Sequence, residues 1–331
     1  MPEHGGRLIV AARRYSIPLD QWLDLSTGIN PNGWPVPPIP SWCWQRLPDP
    51  DDGLIAAAKA YYGCRSLLPV AGSQAAIQCL PRLRSPCRVA VQYPGYSEHR
   101  IAWQQHGHEV VSLDFGAIVE RIEELDVVVI INPNNPTGEI HPPECMLALL
   151  EQLEGRGGWL IVDEAFMDMT PDRSVCAQVG YPGLIVLRSI GKFFGLAGLR
   201  LGFVCAWSAL LQEMARLQGP WAIATPSRWI GQQALVDHQW QTWMRAQLYS
   251  HSEKLNDLLY RALEIDPVGT ALFKTCRLTI AKEVHEHLAH QGILVRLLDD
   301  ERGIRFGLPA DEKAFVRLKK ALSTLGQNVY N

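Results

Sequence analysis

Residues Ser189-Ile190-Gly191-Lys192-Phe193-Phe194-Gly195-Leu196-Ala197-Gly198-Leu199-Arg200 decide how this chain is read. A lysine stands just past the apolar run at 184–187, amid small and aromatic residues. Desolvation there lowers a lysine's pKa, and the neutral amine can form a Schiff base. Gly195 and Gly198 permit tight turns before Arg200. Taken alone, a surface lysine after a strand would look the same.

Each neighbouring motif sits at the end of an apolar run. Asp163-Glu164-Ala165-Phe166 follows the run at 160–162, and a carboxylate leaving an apolar strand needs a cation or a protonated nitrogen. Capping a helix is the plain alternative for Asp163. Asn132-Pro133-Asn134-Asn135-Pro136-Thr137-Gly138 follows the run Val127–Ile131. Open α/β sheets bind ligands at the carboxyl ends of their strands, and asparagine amides offer donors and acceptors. An Asn-Pro loop is also an ordinary turn. Ala71-Gly72-Ser73-Gln74 joins a glycine turn to a helix start, which is either an anion site or an N-cap at Ser73.

Strands are predicted at 88–92, 127–131, 160–162, 184–187 and 201–205, with helices at 73–83, 143–154 and 208–217. Continuous aliphatic strands alternating with helices predict an α/β fold, a large domain whose mostly parallel sheet is covered by helices on both faces. A helical region at 227–263 comes next. Strands at 272–279, 293–297 and 304–306 with helices at 282–290 and 311–325 predict a small C-terminal α+β domain, the ligand cleft being expected between the two domains. The chain is divided into an N-terminal arm at 1–40, a large cofactor-binding domain at 41–220, and a linking helix with the small domain at 221–331. The proline-rich stretch up to Pro50 reads as irregular. Its Trp34, Trp42 and Trp44 need a surface to lie on, either the chain's own core or a partner subunit.

Composition narrows the class. The 331 residues are 47% hydrophobic and 20% charged, as in an ordinary globular protein. Lys and Arg total 31 against 34 Asp and Glu, a net charge of −3, so no general basic field points to nucleic acid. No apolar run approaches the ~18 residues of a membrane span, and the N-terminus shows no export signal. The eight cysteines form no C-x-x-C pair, which predicts a reduced, cytoplasmic chain without a metal ribbon.

In order and spacing, the anion cradle, Tyr96 in Tyr93-Pro94-Gly95-Tyr96, NPNNPTG, DEAF and S-x-G-K-x-x-G-L-x-G-L-R resemble the fold-type I pyridoxal-phosphate enzymes, aspartate aminotransferase-like. The resemblance spans residues 26–309. It implies that Lys192 carries the cofactor covalently and moves the proton. Asp163 would pair with the pyridinium nitrogen, Asn135 would bind the ring's 3-oxygen and Tyr96 would stack on the ring. Gly72, Ser73, Gln74, Ser189 and Arg200 would hold the cofactor phosphate. Arg305, in Gly303-Ile304-Arg305-Phe306-Gly307, matches the family's carboxylate-binding arginine, and a guanidinium fork suits a carboxylate. Two positions depart from the pattern. Phe166 stands where many relatives have a tyrosine, and Leu47 where histidinol-phosphate aminotransferases place a tyrosine that reaches the partner's cofactor phosphate.

The N-terminus separates the branches. His4-Gly5-Gly6 and Leu23-Asp24-Leu25-Ser26-Thr27-Gly28-Ile29-Asn30-Pro31-Asn32-Gly33 look like the threonine-phosphate decarboxylases of cobalamin biosynthesis. That resemblance implies decarboxylation of L-threonine O-3-phosphate to (R)-1-aminopropan-2-ol O-2-phosphate. A histidinol-phosphate-type aminotransferase is the alternative. Such a substrate is anionic at both ends, so two anion sites are expected besides the cofactor phosphate: Arg305 for the carboxylate, and Arg296 with Asn30, His4, Gly5 and Gly6 for the phosphate. A homodimer is expected, with neither nucleic acid, membrane nor metal as partner.

Overall fold

The computed structural model describes residues 5–325. The stretch expected to be irregular opens with a helix, α1 (Leu8–Tyr15), which carries Arg13 and Arg14 in its last turn, where the negative helix end favours cations. It stops at Ser16, which turns left-handed at φ 55°. A two-residue strand, β1 (Leu23–Asp24), follows. The chain divides into two compact units. One comprises residues 33–135 and 139–241; the other comprises the residues up to Asn32, residues 136–138 and those from Thr242 onward.

The first unit opens with α2 (Trp42–Gln45) and α3 (Leu54–Tyr62). Its sheet has seven strands: β2 (Leu67–Val70), β3 (Arg88–Gln92), β4 (Glu109–Leu113), β5 (Val127–Ile131), β6 (Trp159–Asp163), β7 (Leu184–Ser189) and β8 (Gly202–Cys205). They lie in the order β2-β8-β7-β6-β5-β3-β4, with β8 antiparallel to both neighbours and the other pairs parallel. Every residue of β5, β6, β7 and β8 is buried, as continuous aliphatic strands require. The two strands absent from the sequence reading are the edges. β2 contains Pro69, which an edge tolerates, and β4 is only half-buried.

The helices of this unit are α4 (Ser73–Cys79), α5 (Ser97–Gln105), α6 (Phe115–Glu120), α7 (Pro143–Glu154), α8 (Ser208–Gln218) and α9 (Thr225–Val236), with the start of α10 (His238–Leu263). The single helix expected at 227–263 is broken at Asp237. That carboxylate accepts from the Trp240 N–H at 3.0 Å and from Trp34 Nε1 at 3.0 Å. Trp34 therefore lies buried in its own unit, whereas Trp42, Trp44 and Leu47 are exposed.

The second unit holds β9 (Val268–Thr270), β10 (Phe273–Arg277), α11 (Ala281–His290), β11 (Ile293–Leu294), β12 (Arg296–Leu297), β13 (Gly303–Gly307) and α12 (Glu312–Ser323). An antiparallel sheet runs β12-β13-β10-β9, while β11 pairs with β1 in parallel. The expected strand at 293–297 is thus two. Residues on either side of Val295 serve different sheets, a change of partner that no periodicity records. Asp311 caps α12 by accepting from the Ala314 N–H at 2.8 Å.

Candidate active site

Strand register gathers the motifs of the first unit along one edge of its sheet. Ile131 pairs with Asp163, Asp163 with Leu187, and both Ser189 and Val70 with Gly202. The carboxyl ends of β2, β5, β6 and β7 are therefore level, and the loop carrying Arg200 enters β8 at the same height. This is the edge where open α/β sheets bind ligands.

The turn after β2 is shaped around Arg200. Gly72 has φ 75°, and a Cβ there would lie 2.6 Å from Arg200 Nη2. Arg200 is itself left-handed at φ 50°. A Cβ at Gly202 would come within 2.7 Å of the Ser73 nitrogen. Gly72, not Ser73, occupies the N-cap position of α4, and no side chain caps that helix. Ser189 Oγ accepts from the Gly191 N–H at 3.3 Å.

A polar chain continues from α4 to Asp163. Gln74 Nε2 donates to Glu98 at 3.0 Å, which orients the amide so that its oxygen accepts from the Tyr96 hydroxyl at 3.1 Å. Burial, then the Glu98 charge, pushes the Tyr96 phenol up to about 12, so it remains a donor at neutral pH. Tyr96 meets His99 edge-on at 6.2 Å. His99 Nε2 stands 2.9 Å from Asp163 Oδ2, and since a carboxylate only accepts, that nitrogen carries the hydrogen. Asp163 Oδ1 accepts from the Ala165 N–H at 3.1 Å. Both side chains are buried. The carboxylate expected to need a protonated nitrogen thus has one, from a residue the sequence reading overlooked. The signal was Tyr96-x-x-His99, the N-cap residue of α5 and a residue of its first turn, whose rings meet.

Lys192 Nζ lies 5.3 Å from the centre of the Phe166 ring. Phe193 and Phe194 beside it are fully buried. Asn135 lies in the loop after β5. Behind the site, Arg188 of β7 is buried between Glu164 and Asp168, each at 2.6 Å, with its guanidinium over the Tyr62 ring at 4.5 Å. Strand alternation sends Asp163 and Glu164 to opposite faces, so adjacent carboxylates join different networks.

The second unit gathers the other candidates around Ser26. Ser26 Oγ donates to Asp24 Oδ1 at 2.6 Å and accepts from the Gly6 N–H at 2.8 Å. The Ser26 carbonyl accepts from Arg305 Nη2 at 2.8 Å. A Cβ on Gly5 would lie 2.2 Å from that carbonyl oxygen, and Gly6 has φ 81°, so both positions call for glycine. Arg305 is buried, and its guanidinium lies 5.3 Å from the centre of the Phe273 ring. Burial, then Arg296, pushes its pKa down to about 10. Arg296 is opposite Arg305 in the β12–β13 register and contacts Asp299 at 2.7 Å. Asn30 is buried, and its Oδ1 accepts from the Asn32 N–H at 2.9 Å. His4 lies outside the described residues.

The residues of the first unit fit pyridoxal phosphate. Gly72 leaves a cradle that a Cβ would fill, with Arg200 against it. Asp163 offers a buried carboxyl group hydrogen-bonded to His99, and Lys192 lies amid buried aromatic rings.

Comparisons with known proteins place this arrangement. Residues 48–300 match the family "Aminotransferase class I and II". The chain is 51% identical over 322 residues to the threonine-phosphate decarboxylase of Pseudomonas aeruginosa, covering 97% of each chain. In fold it resembles the histidinol-phosphate aminotransferase from Sinorhizobium meliloti, solved in complex with pyridoxal-5'-phosphate, with a TM-score of 0.83 at 19% identity over 99% of this chain and 96% of that one. The L-threonine-O-3-phosphate decarboxylase from Porphyromonas gingivalis gives a TM-score of 0.78 at 20% identity, over 92% of this chain and 99% of that one. These two likenesses establish the fold alone. Sheet order, motif placement and the match over residues 48–300 agree, and the chain belongs to the aminotransferase class I and II family.

Proposed function

We propose that this chain is a pyridoxal-phosphate-dependent decarboxylase that converts L-threonine O-3-phosphate to (R)-1-aminopropan-2-ol O-2-phosphate and CO2, a step of cobalamin biosynthesis. The observation that carries this reading is the 51% identity, over 97% of both chains, to a threonine-phosphate decarboxylase. Fold does not separate that reaction from transamination, because a histidinol-phosphate aminotransferase shares the architecture.

Bound pyridoxal phosphate supplies an electron sink for whichever Cα bond stands perpendicular to its ring. Lys192 carries the cofactor and moves a proton at Cα through its Nζ. Asp163, hydrogen-bonded to His99, would pair with the ring nitrogen and keep a proton on it. Tyr96 covers the ring and Asn135 donates to its 3-oxygen, alone in that role where Phe166 replaces a tyrosine. Gly72, Ser73, Gln74, Ser189 and Arg200 bind the cofactor phosphate. Arg305 takes the substrate carboxylate, while Arg296, Asn30 and the His4-Gly5-Gly6 segment take the substrate phosphate. Anchoring both anionic ends selects the bond that breaks, since orientation decides which bond overlaps the ring.

The active protein is a homodimer on this reading, supported by the exposure of Trp42, Trp44 and Leu47 on one short segment. Eight free cysteines, six of them buried, support a reducing cytoplasmic setting.

The test is direct. Purified enzyme given L-threonine O-3-phosphate releases CO2 and aminopropanol phosphate and forms no glutamate when 2-oxoglutarate is added. Glutamate formation without CO2 would make it a transferase instead.

A further inference from the structure

β3 and β5 are neighbours, and the loops that follow them carry Tyr96 and Asn135. Their backbone ladder covers only Val89–Val91 against Val127–Val129. Beyond it two buried side-chain amides, Gln92 and Asn134, make the cross-links, and a third, Asn132, closes the loop after β5. Gln92, 3% exposed, accepts from the Ile131 N–H through Oε1 at 2.9 Å. Asn134, 1% exposed, donates through Nδ2 to the Pro94 carbonyl at 3.0 Å, two residues before Tyr96 and one before Asn135. Asn132, fully buried, closes the base of its loop. Its amide donates to the His141 carbonyl and accepts from the His141 N–H, both at 2.9 Å, while its own N–H donates to the Asp163 carbonyl at 2.9 Å. The Asn134 N–H closes a second rung, to the Glu139 carbonyl at 2.8 Å.

We infer that Gln92, Asn132 and Asn134 are positioning residues: a buried amide brace that holds the Tyr96 turn, the Asn135 loop and the end of β6 as one body. Past Val91 and Val129 the two strands have no ladder on the side where they face each other, and water would otherwise compete for these backbone groups. An amide presents a donor and an acceptor on one planar group, so it replaces a missing peptide rung where an aliphatic side chain cannot. Buried polar bonds of this kind hold a geometry through the contacts they make; at Asn134 that is the donor side alone, since its Oδ1 has no hydrogen-bond partner among the described residues. The brace touches no reacting atom. It sets the distance between the ring-covering tyrosine and the ring-oxygen donor, and so rests on the assignment of Asn135 and Tyr96 to the cofactor.

The test is cofactor affinity, read by titrating pyridoxal phosphate into apoenzyme, with the thermal midpoint of the apoenzyme as a second readout. Asn134→Ala is expected to weaken binding about tenfold, as loss of one buried hydrogen bond does, with the absorption maximum of the loaded enzyme moving as it does in Asn135→Ala. In an Asn135→Ala/Tyr96→Ala background the same change is expected to cost less than about twofold, because a residue acting through others is non-additive with them. An equal loss in both backgrounds makes Asn134 merely structural and overturns the brace, as does wild-type affinity in Asn134→Ala. Wild-type affinity in Asn135→Ala/Tyr96→Ala overturns the assignment of those two residues, and the brace with it. Should Asn134→Ala not fold, Asn134→Asp, of the same shape but without the amide donor, enters the same comparison.

Discussion

His99→Phe tests the electrostatics of the site at a buried contact. His99 Nε2 is 2.9 Å from Asp163 Oδ2, with side-chain exposures of 2% and 5%. The substitution keeps an aromatic ring against Tyr96 and removes one donor from the carboxylate, leaving the Ala165 N–H at 3.1 Å on the other oxygen. A hydrogen bond to a charged group contributes about 1.5–3 kcal/mol, which is roughly ten- to a hundredfold in an equilibrium constant. Asp163 then holds the ring-nitrogen proton less well, so affinity for pyridoxal phosphate and kcat are both expected to fall by that order. Mass action gives an independent readout. Cofactor at a hundred times its Kd stabilises the fold by about 2.7 kcal/mol, and a hundredfold weaker Kd leaves about 0.4 kcal/mol. The thermal midpoint of the loaded enzyme should therefore drop towards that of the apoenzyme, whose own midpoint moves little. His99→Asn, which can still present a donor, should fall between. Wild-type affinity and kcat in His99→Phe would refute the reasoning.

Lys192→Ala should abolish turnover and borohydride fixation while cofactor still binds through Asp163 and Arg200; normal turnover would remove Lys192 from the chemistry. Gly72→Ala places a Cβ 2.6 Å from Arg200 Nη2 at φ 75°, so Arg200 must shift. Cofactor affinity should drop roughly tenfold or more through loss of a charge-assisted contact, and an unchanged titration would dismiss the cradle. Arg188→Met leaves the buried carboxylates of Glu164 and Asp168 without their shared cation. Removing one partner of such a cluster costs about 3–5 kcal/mol, measurable as a lower urea midpoint; a loss under about 1 kcal/mol would mean the cluster is relieved another way. Burial, opposed by Glu139, pushes the His141 imidazole below its ordinary 6.5. The unfolded chain then binds the proton first, so stability is full above about pH 6.5 and declines as pH falls below it. His141→Phe should flatten that decline in urea titrations across this range, and identical slopes would exclude the residue.

Much of this molecule is legible in its sequence. Val127–Ile131 is a strand buried on both faces because five aliphatic residues in a row admit little else between helices, and each motif that follows such a run lands at the carboxyl end of a strand for the same reason. Gly5, Gly6 and Gly72 stand out in the sequence as motif residues, and the structure adds the reason, backbone angles or crowding that only glycine meets. Edge strands were not legible: β4 buries too little to show a pattern, and Pro69 in β2 argues against a strand unless its place at the edge is known. The break at Val295 and the helix α1 were hidden too, since both depend on what the segment packs against rather than on its own periodicity.

The order of the chemical groups along the chain is written in the residues themselves. Which of them share a hydrogen bond follows from how the sheets assemble. His99 meets Asp163 across 64 residues, Arg305 meets the Ser26 carbonyl across 279, and Asn134 reaches Pro94 across 40. Local propensity acts over a few residues, whereas these contacts are set by strand order and register, which place distant segments side by side.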